Sequence, residues 1–134
     1  MSGNPELNGL LVDTNVIIRI LKGQTELFSL FEEIEKLYVS TISIGELMYG
    51  ASLSKKSDFN QELYSGFCNQ MKIIYVDSDI AKTYGKIKSQ LKKKGRPIPE
   101  NDIWIAATAI TAGLSLVTAD KDFENIDGLT IEKM

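Results

Sequence analysis

Short apolar segments recur along the chain and alternate with longer segments in which apolar residues return every three or four positions. The short segments are rich in leucine, valine and isoleucine, and such runs predict buried β-strands. They cover residues 10–12, 37–40, 72–76, 115–118 and 129–131. The last of them is the weakest signal, and we expect it at an edge of the sheet.

The longer segments have the 3.6-residue period of amphipathic helices, and their bounds are set by Ser, Thr or acidic residues at the start and glycine at the end. The predicted helices are residues 15–21, a helix capped by Thr25 with Leu27, Leu30, Phe31 and Ile34 on one face, a helix capped by Thr41 or Ser43, residues 58–70, a lysine-rich helix from Ser78 to Gly95, and residues 103–112, opened by Glu100 and Asp102 and ended by Gly113.

Strands that alternate with helices predict βαβ units and therefore an α/β fold. We expect a mainly parallel central sheet of four or five strands with helices on both faces. In open sheets of this kind, ligands bind beyond the carboxyl ends of the strands. Residues that directly follow strands are therefore the first candidates for a functional site.

Length and composition favour one soluble domain. A chain of 134 residues, with 43% hydrophobic and 25% charged residues, can bury a full core, and we expect flexibility only near residues 1–6. Cys68 is the single cysteine and cannot form an internal disulfide. The first residues lack the features of a signal peptide, and no apolar run is long enough to cross a membrane. These features predict a cytoplasmic protein with no membrane role.

The net charge and the lack of histidine limit the kinds of binding and catalytic site that the chain can form. The net charge of −3 argues against nucleic-acid binding through overall positive charge, so any such contact must be local. The sequence contains no histidine, which excludes Ser-His-Asp and Cys-His catalysis and most zinc sites. Carboxylates and lysines remain as the reactive groups.

Four acidic residues are predicted to meet at one end of the sheet. Asp13 and Asp120 directly follow strands, while Glu46 and Asp102 lie near the starts of helices that can begin on the same side. Any one of them alone has a simpler explanation, since a carboxylate near a helix start stabilises the helix dipole. Four acids that are predicted to lie together therefore indicate a functional site more strongly than any one of them alone.

Two of these acids lie on helix faces that the pattern predicts to be buried. The residues that share these faces are Ile105, Ala106 and Ala109 for Asp102, and Ile42, Tyr49 and Gly50 for Glu46. Buried, clustered carboxylates are unfavourable unless a cation compensates their charge. Oxygen ligands without histidine favour Mg²⁺ or Mn²⁺, and such ions support hydrolysis of phosphodiester bonds.

Four ordered segments resemble the motifs of PIN-domain nucleases, and the chain is similar to the VapC-type toxins of that family. The segments are residues 11–15 (LVDTN), 43–50 (SIGELMYG), 95–98 (GRPI) with 102–107 (DIWIAA), and 116–123 (LVTADKDF). The resemblance spans nearly the whole chain. It implies a PIN fold, an endoribonuclease that depends on Mg²⁺ or Mn²⁺, a homodimer, and inhibition by a small cognate antitoxin of the VapB type.

The resemblance also implies roles for individual residues. Asp13 and Asp102 become the principal metal ligands. Glu46 becomes a further ligand or a residue that positions water. Asp120 becomes the fourth acid, with Asp122 as the alternative because related sequences place their acid at either position. Asp120 is favoured because it is nearer to the end of the strand.

Several other residues have two interpretations. Asn15 and Thr118 are supporting polar groups by the same resemblance. The lysine-rich segment ahead of Asp102 is either solvated helix surface or a surface that follows the RNA phosphates. Trp104 belongs either to the core or to a dimer interface. The residues proposed to contact RNA are Lys92, Lys93, Lys94 and Arg96.

An aspartate-nucleophile phosphatase is disfavoured, because it would need a second aspartate at position 15, where this chain has Asn15. Two other functions remain open. A housekeeping PIN-domain nuclease that processes RNA would use the same acids without an antitoxin. A PIN scaffold that binds RNA or antitoxin without cleavage would not require all four acids to be present.

Overall fold

The structure is a computed structural model that describes residues 9–23 and 36–133. The predicted helix that begins at Thr25, with Leu27, Leu30, Phe31 and Ile34, lies outside the described residues, and so do residues 1–6. None of the helices found in the two described ranges is both long and apolar enough to span a bilayer.

Five strands form one parallel sheet in the order β3-β2-β1-β4-β5. The strands are β1 (Leu10–Val12), β2 (Leu37–Ser40), β3 (Lys72–Ile74), β4 (Ser115–Thr118) and β5 (Ile131–Lys133). The α/β class and the parallel sheet are therefore confirmed, and the last strand lies at an edge as predicted.

Two strands differ from their predicted bounds. The third was predicted over residues 72–76 but ends at Ile74, because its neighbour β2 ends opposite it at Ser40 and the chain turns into a helix there. The last was predicted over residues 129–131 but begins at Ile131, where it first pairs with Leu116 of β4. In both cases the partner strand decides where the strand begins or ends.

Helices connect the strands. They are α1 (Thr14–Leu21), α2 (Thr41–Leu53), α3 (Ser57–Cys68), α4 (Ser78–Lys94), α5 (Glu100–Ala112) and a 3₁₀ helix (Lys121–Asn125). Gly95 and Gly113 end α4 and α5 in the left-handed conformation, with φ of 67° and 70°, as the sequence predicted. Positive φ values of this kind favour glycine, since it has no Cβ.

The cap of α2 differs from the prediction. The sequence suggested Thr41 or Ser43, but Ser40 is the cap, and its hydroxyl accepts a hydrogen bond from the backbone N–H of Ile42. Strand β2 runs directly into the helix, so the last strand residue takes the capping position. Ser43 is thereby left for a buried contact described below.

Side chains that alternate along the central strands build one core on each face of the sheet. Leu11 and Leu116 point to the face covered by α4 and α5, and Val12 and Val117 point to the face covered by α1, α2 and α3. Trp104 is half-buried on the first face, where its ring stacks on Tyr84 with 3.9 Å between the ring centroids. Because β1 and β4 are parallel neighbours, their carboxyl ends lie together at one edge of the sheet.

Candidate active site

The site lies where the chain leaves neighbouring strands in opposite directions. From β1 the chain passes to β2 on one side, while β4 lies on the other side of β1. A crevice forms at such a switch point, outside the carboxyl ends of the strands. Asp13 directly follows β1, and its N–H donates to the carbonyl of Val117 in β4, which fixes Asp13 at the crevice.

Asp13 is almost fully buried, with 4% of its surface exposed. One carboxylate oxygen, Oδ1, accepts a hydrogen bond from the N–H of Thr14, and Oδ2 accepts one from the hydroxyl of Thr118, both at 2.8 Å. Burial raises the pKa of Asp13. The two hydrogen bonds oppose this rise, while the negative charges of Glu46 and Asp120 add to it. Asp13 is thus a buried acid that the fold holds in one orientation.

Glu46 is held by residues from two other helices, α1 and α5. The Thr14 hydroxyl lies 2.6 Å from Oε1 of Glu46 and 2.9 Å from the hydroxyl of Ser43. Thr14 has one hydroxyl proton, and the carboxylate can only accept, so Thr14 donates to Glu46 and Ser43 donates to Thr14. The side-chain amide of Asn101 reaches Oε2 of Glu46 at 3.4 Å.

The predicted burial of the Glu46 face is wrong. Tyr49 is 68% exposed and Gly50 is also exposed, so the face that they share with Glu46 points to solvent. Helix α2 instead buries the side that carries Ser43, Leu47 and Ala51. Glu46 lies at the margin between the two sides and is half-buried because Thr14 and Asn101 contact it.

The predicted burial of the Asp102 face is confirmed, since Ile105, Ala106 and Ala109 are fully buried. Asp102 itself is half-buried, and no described residue donates a hydrogen bond to its carboxylate. Burial raises the pKa of Asp102 to about 7, and the negative charges of the surrounding acids contribute to this rise. These acids, in decreasing order of effect, are Asp13, Asp120, Glu46 and Asp122.

Asp120 and Asp122 have different surroundings. Asp120 caps the 3₁₀ helix by accepting a hydrogen bond from the N–H of Asp122 at 2.9 Å, and its own N–H donates to the Thr118 hydroxyl at 3.0 Å. Its charge raises the pKa of both Asp13 and Asp102. Asp122 is exposed and influences Asp102 least among the four acids. Asp120 is therefore the more closely coupled of the two.

The donor set fits a hard cation that keeps part of its water. Within residues 9–23 and 36–133, no group of three or more acidic side chains is arranged to hold a metal ion by itself. Magnesium commonly uses one or two carboxylates and completes its coordination with waters and phosphate oxygens. Asp13 and Asp102 offer carboxylates of this kind, and the mutual repulsion of the acids is the charge that such an ion would neutralise.

The structure places the two predicted supporting residues, Asn15 and Thr118, in different surroundings. Thr118 contacts Asp13 directly, as described above, whereas Asn15 is exposed and forms no hydrogen bond to an acid within the described residues. The structure also brings in Thr14, Ser43 and Asn101, which the sequence reasoning did not assign. Thr14 and Ser43 were detectable only as members of the motif segments, because a hydroxyl at a helix start is ordinarily interpreted as a cap.

The predicted basic residues do not pair with the acids of the site. Nζ of Lys88 lies 3.1 Å from Glu100, and Nζ of Lys94 lies 2.8 Å from Asp127. Lys94 also donates to the backbone carbonyl of Asn125. The basic side chains of this segment that are exposed and form no ion pair with a described residue are Lys82, Lys86, Lys92, Lys93 and Arg96.

Comparison with known proteins identifies the class. The family model of the PIN domain matches residues 10–129, so the chain belongs to the PIN-domain family. The match begins at β1 and ends just before β5, and it therefore contains all the acids of the crevice.

Individual relatives narrow this class. Ribonuclease VapC2 of Haemophilus influenzae is 36% identical over 91% of this chain and 95% of its own length. The tRNA(fMet)-specific endonuclease VapC of Shigella flexneri is 32% identical over the same shares. The solved structure of VapBC2 from Rickettsia felis, bound to a DNA fragment from its promoter, contains a chain with a TM-score of 0.88 and 30% identity. That comparison covers 94% of this chain and 98% of the other. The protein is thus a VapC-type member of the family.

Proposed function

We propose that this protein is a metal-dependent endoribonuclease that acts as the toxin of a toxin-antitoxin pair. It hydrolyses phosphodiester bonds of RNA, and a small cognate antitoxin of the VapB type inhibits it. The observation that carries the proposal is the set of uncompensated acids at the carboxyl ends of β1 and β4, in a chain similar to VapC ribonucleases over nearly its whole length.

Asp13 and Asp102 are the proposed metal ligands. When they bind Mg²⁺ or Mn²⁺, the ion supplies positive charge beside the scissile phosphate and lowers the pKa of a bound water. Thr118 and the backbone of Thr14 fix the direction of the Asp13 carboxylate. Asp102 approaches from α5, where no hydrogen bond from a described residue competes for its oxygens.

Glu46 is the proposed residue that orients the attacking water. Its Oε1 is occupied by the Thr14 hydroxyl, but from the described residues Oε2 has only the long contact to Asn101, so Oε2 can accept a hydrogen bond from water. Asp120 is the proposed fourth acid, since its charge reaches both Asp13 and Asp102. Asp122 remains the alternative.

The surface of α4 is the proposed track for the RNA backbone. Lys92, Lys93 and Arg96 are exposed, and they supply local positive charge in a chain whose net charge is −3. Lys94 belongs to the same proposed surface, although Asp127 already neutralises part of its charge. We also expect a homodimer, by analogy with the family, and a cytoplasmic location, from the sequence features described above.

The proposal is tested by incubating the purified protein with mixed cellular RNA and Mg²⁺ or Mn²⁺. We expect cleavage that stops in excess chelator and falls at least about a hundredfold in Asp102→Asn, since a ligand to the metal is lost. Co-expression with the product of an adjacent antitoxin gene should suppress the activity. Cleavage that survives both the chelator and the substitution would refute the mechanism.

A further inference from the structure

A cleft of about 630 Å³ opens beside Glu46, at the margin of the crevice. Glu46 lies on the wall that it shares with the crevice, and the cleft continues past it between α1, α2 and the start of α5. The side chains that matter for its chemistry are Asn15, Ile18, Ile42, Tyr49 and Asn101. Its volume lies in the range of roughly 300–1,000 Å³ that small-molecule sites occupy.

The residues of the cleft are fixed by the same backbone that fixes the acids. Asn15 is two positions after Asp13, and Asn101 directly precedes Asp102. Tyr49 follows Glu46 by three positions on α2, so the two side chains are neighbours on one helix face. Whatever occupies the cleft is therefore held in a defined position relative to the acids.

The chemistry of the cleft suits a flat, polar-edged ring. Tyr49 presents an aromatic ring that is 68% exposed, and half-buried Ile18 and Ile42 add apolar surface. The amide of Asn15 forms no hydrogen bond with any described residue, so both its donor and its acceptor are available. None of the described residues that line the cleft carries a positive charge, which argues against a phosphate as its occupant.

We propose that this cleft is a subsite for one unpaired RNA base next to the scissile phosphate. Proteins recognise single-stranded RNA by stacking bases on aromatic side chains and by hydrogen bonds to base edges, and Tyr49 and Asn15 supply these two elements. The inference rests on the proposed ribonuclease function. A base adjacent to a phosphate held at the acids must lie within one nucleotide of Glu46, and the cleft begins there. A segment of the antitoxin is the competing occupant.

Tyr49→Ala tests the stacking component. Because the ring is mostly exposed, its removal should leave the melting temperature unchanged. We expect KM for single-stranded RNA to rise about tenfold, the loss typical of one base–aromatic stack, with a smaller change in kcat. Tyr49→Phe keeps the ring and should retain the wild-type KM. Tyr75→Ala is the matched control, because Tyr75 is 70% exposed but does not line the cleft.

Two readouts separate this proposal from the function on which it rests. In the first, the wild type and the variants cleave an RNA pool of random sequence, and the products are sequenced. Tyr49→Ala and Asn15→Ala should weaken the preference for one base beside the cut. In the second, a short single-stranded RNA with 2-aminopurine at successive positions binds to Asp102→Asn protein. Fluorescence should be quenched at one position, and the further substitution Tyr49→Ala should abolish the quenching.

If the wild type cleaves RNA but Tyr49→Ala changes neither KM, base preference nor quenching, the subsite is wrong and the ribonuclease remains. If the wild type cleaves no RNA while the quenching depends on Tyr49, the ribonuclease is wrong and the base site remains. If Tyr49→Ala relieves inhibition by the antitoxin and leaves all three RNA measurements unchanged, the cleft belongs to the antitoxin and the proposal is overturned.

Discussion

Asp13 and Asp102 have the same functional group and face the same crevice, but the protein treats them in opposite ways. Asp13 is buried at the junction of β1 and β4, and each of its oxygens accepts a hydrogen bond of 2.8 Å. Asp102 is half-buried on α5 and accepts none from the described residues. Burial raises the pKa of both carboxyls, but only for Asp13 do hydrogen bonds counteract that rise.

The difference indicates how the site divides its tasks. The contacts of Asp13 form as the sheet forms, so the orientation of its carboxylate is set before any ligand binds. The Asp102 side retains the repulsion among the acids, because none of the ion pairs seen in the described residues includes an acid of the crevice. Asp13 therefore provides a carboxylate of fixed orientation, and Asp102 provides a negative charge whose repulsion by the other acids a cation would relieve.

We expect the largest effect from a substitution that removes a hydrogen bond to Asp13. The Thr118 hydroxyl donates to Asp13 and accepts from the N–H of Asp120, so Thr118→Val removes two hydrogen bonds without a large change in volume. A buried carboxylate oxygen then loses its partner, which costs about 2 kcal/mol of unfolding free energy. For a domain of this size the melting temperature should fall by roughly 8 °C in a thermal unfolding experiment.

Thr118→Ser is the control, because it keeps the hydroxyl and loses only a methyl group. It should recover most of the melting temperature and of the cleavage rate. Equal losses in Thr118→Val and Thr118→Ser would show that packing of the methyl group, and not the hydrogen bond to Asp13, is what matters at this position.

The sequence predicted the positions of the acids well, because each depends on local pattern. Asp13 ends an apolar run, and Asp102 continues the apolar period of its helix, so both could be assigned from neighbouring residues. Asp120, which follows a strand, and Glu46, near a helix start, were predicted in the same way. The motif resemblance then supplied the proposed roles of all four acids, and the choice of Asp120 over Asp122 stays a prediction.

Contacts between distant segments could not be predicted in this way. Thr14 and Ser43 are 29 positions apart, and each looks like an ordinary helix-start residue. Their pairing depends on how α1 packs against α2, which periodicity does not encode. The predicted orientation of Glu46 was wrong for the same reason: Tyr49 suggested a buried face, but α2 instead buries the side that carries Leu47 and Ala51.

A second test concerns the positive charge that could complement the acids. Lys92 and Lys93 are exposed and form no ion pair with a described residue, so the variant Lys92→Glu with Lys93→Glu should weaken RNA binding. We expect a loss of about tenfold in affinity at low salt that becomes smaller at high salt. Affinity is measured with RNA and Asp102→Asn protein, so that cleavage does not interfere.

The matched control reverses Lys55 and Lys56, which are exposed between α2 and α3 and give the same change in net charge. This pair should alter RNA binding much less. If both pairs weaken binding equally, only the total charge matters, and the surface of α4 has no particular role.

The smallest effect concerns the stability of the metal-free protein on the Asp102 side. The pKa of Asp102 is raised from 3.8 to about 7 in the folded protein, so between these values the folded state holds a proton that the unfolded state has lost. Stability therefore falls as pH rises from about 4 to about 7 and stays low above that range.

Asp102→Asn removes this contribution. Because Asp102 is partly exposed, solvent screening limits the gain to about 1 kcal/mol, or roughly 4 °C in melting temperature at pH 8. Near pH 4 the variant and the wild type should melt together. If the melting temperature of the variant still falls as pH rises, we attribute the fall to Asp13, whose pKa is also raised. A lower melting temperature for Asp102→Asn at pH 8 would mean that the Asp102 carboxylate stabilises the fold, and the contrast with Asp13 would be lost.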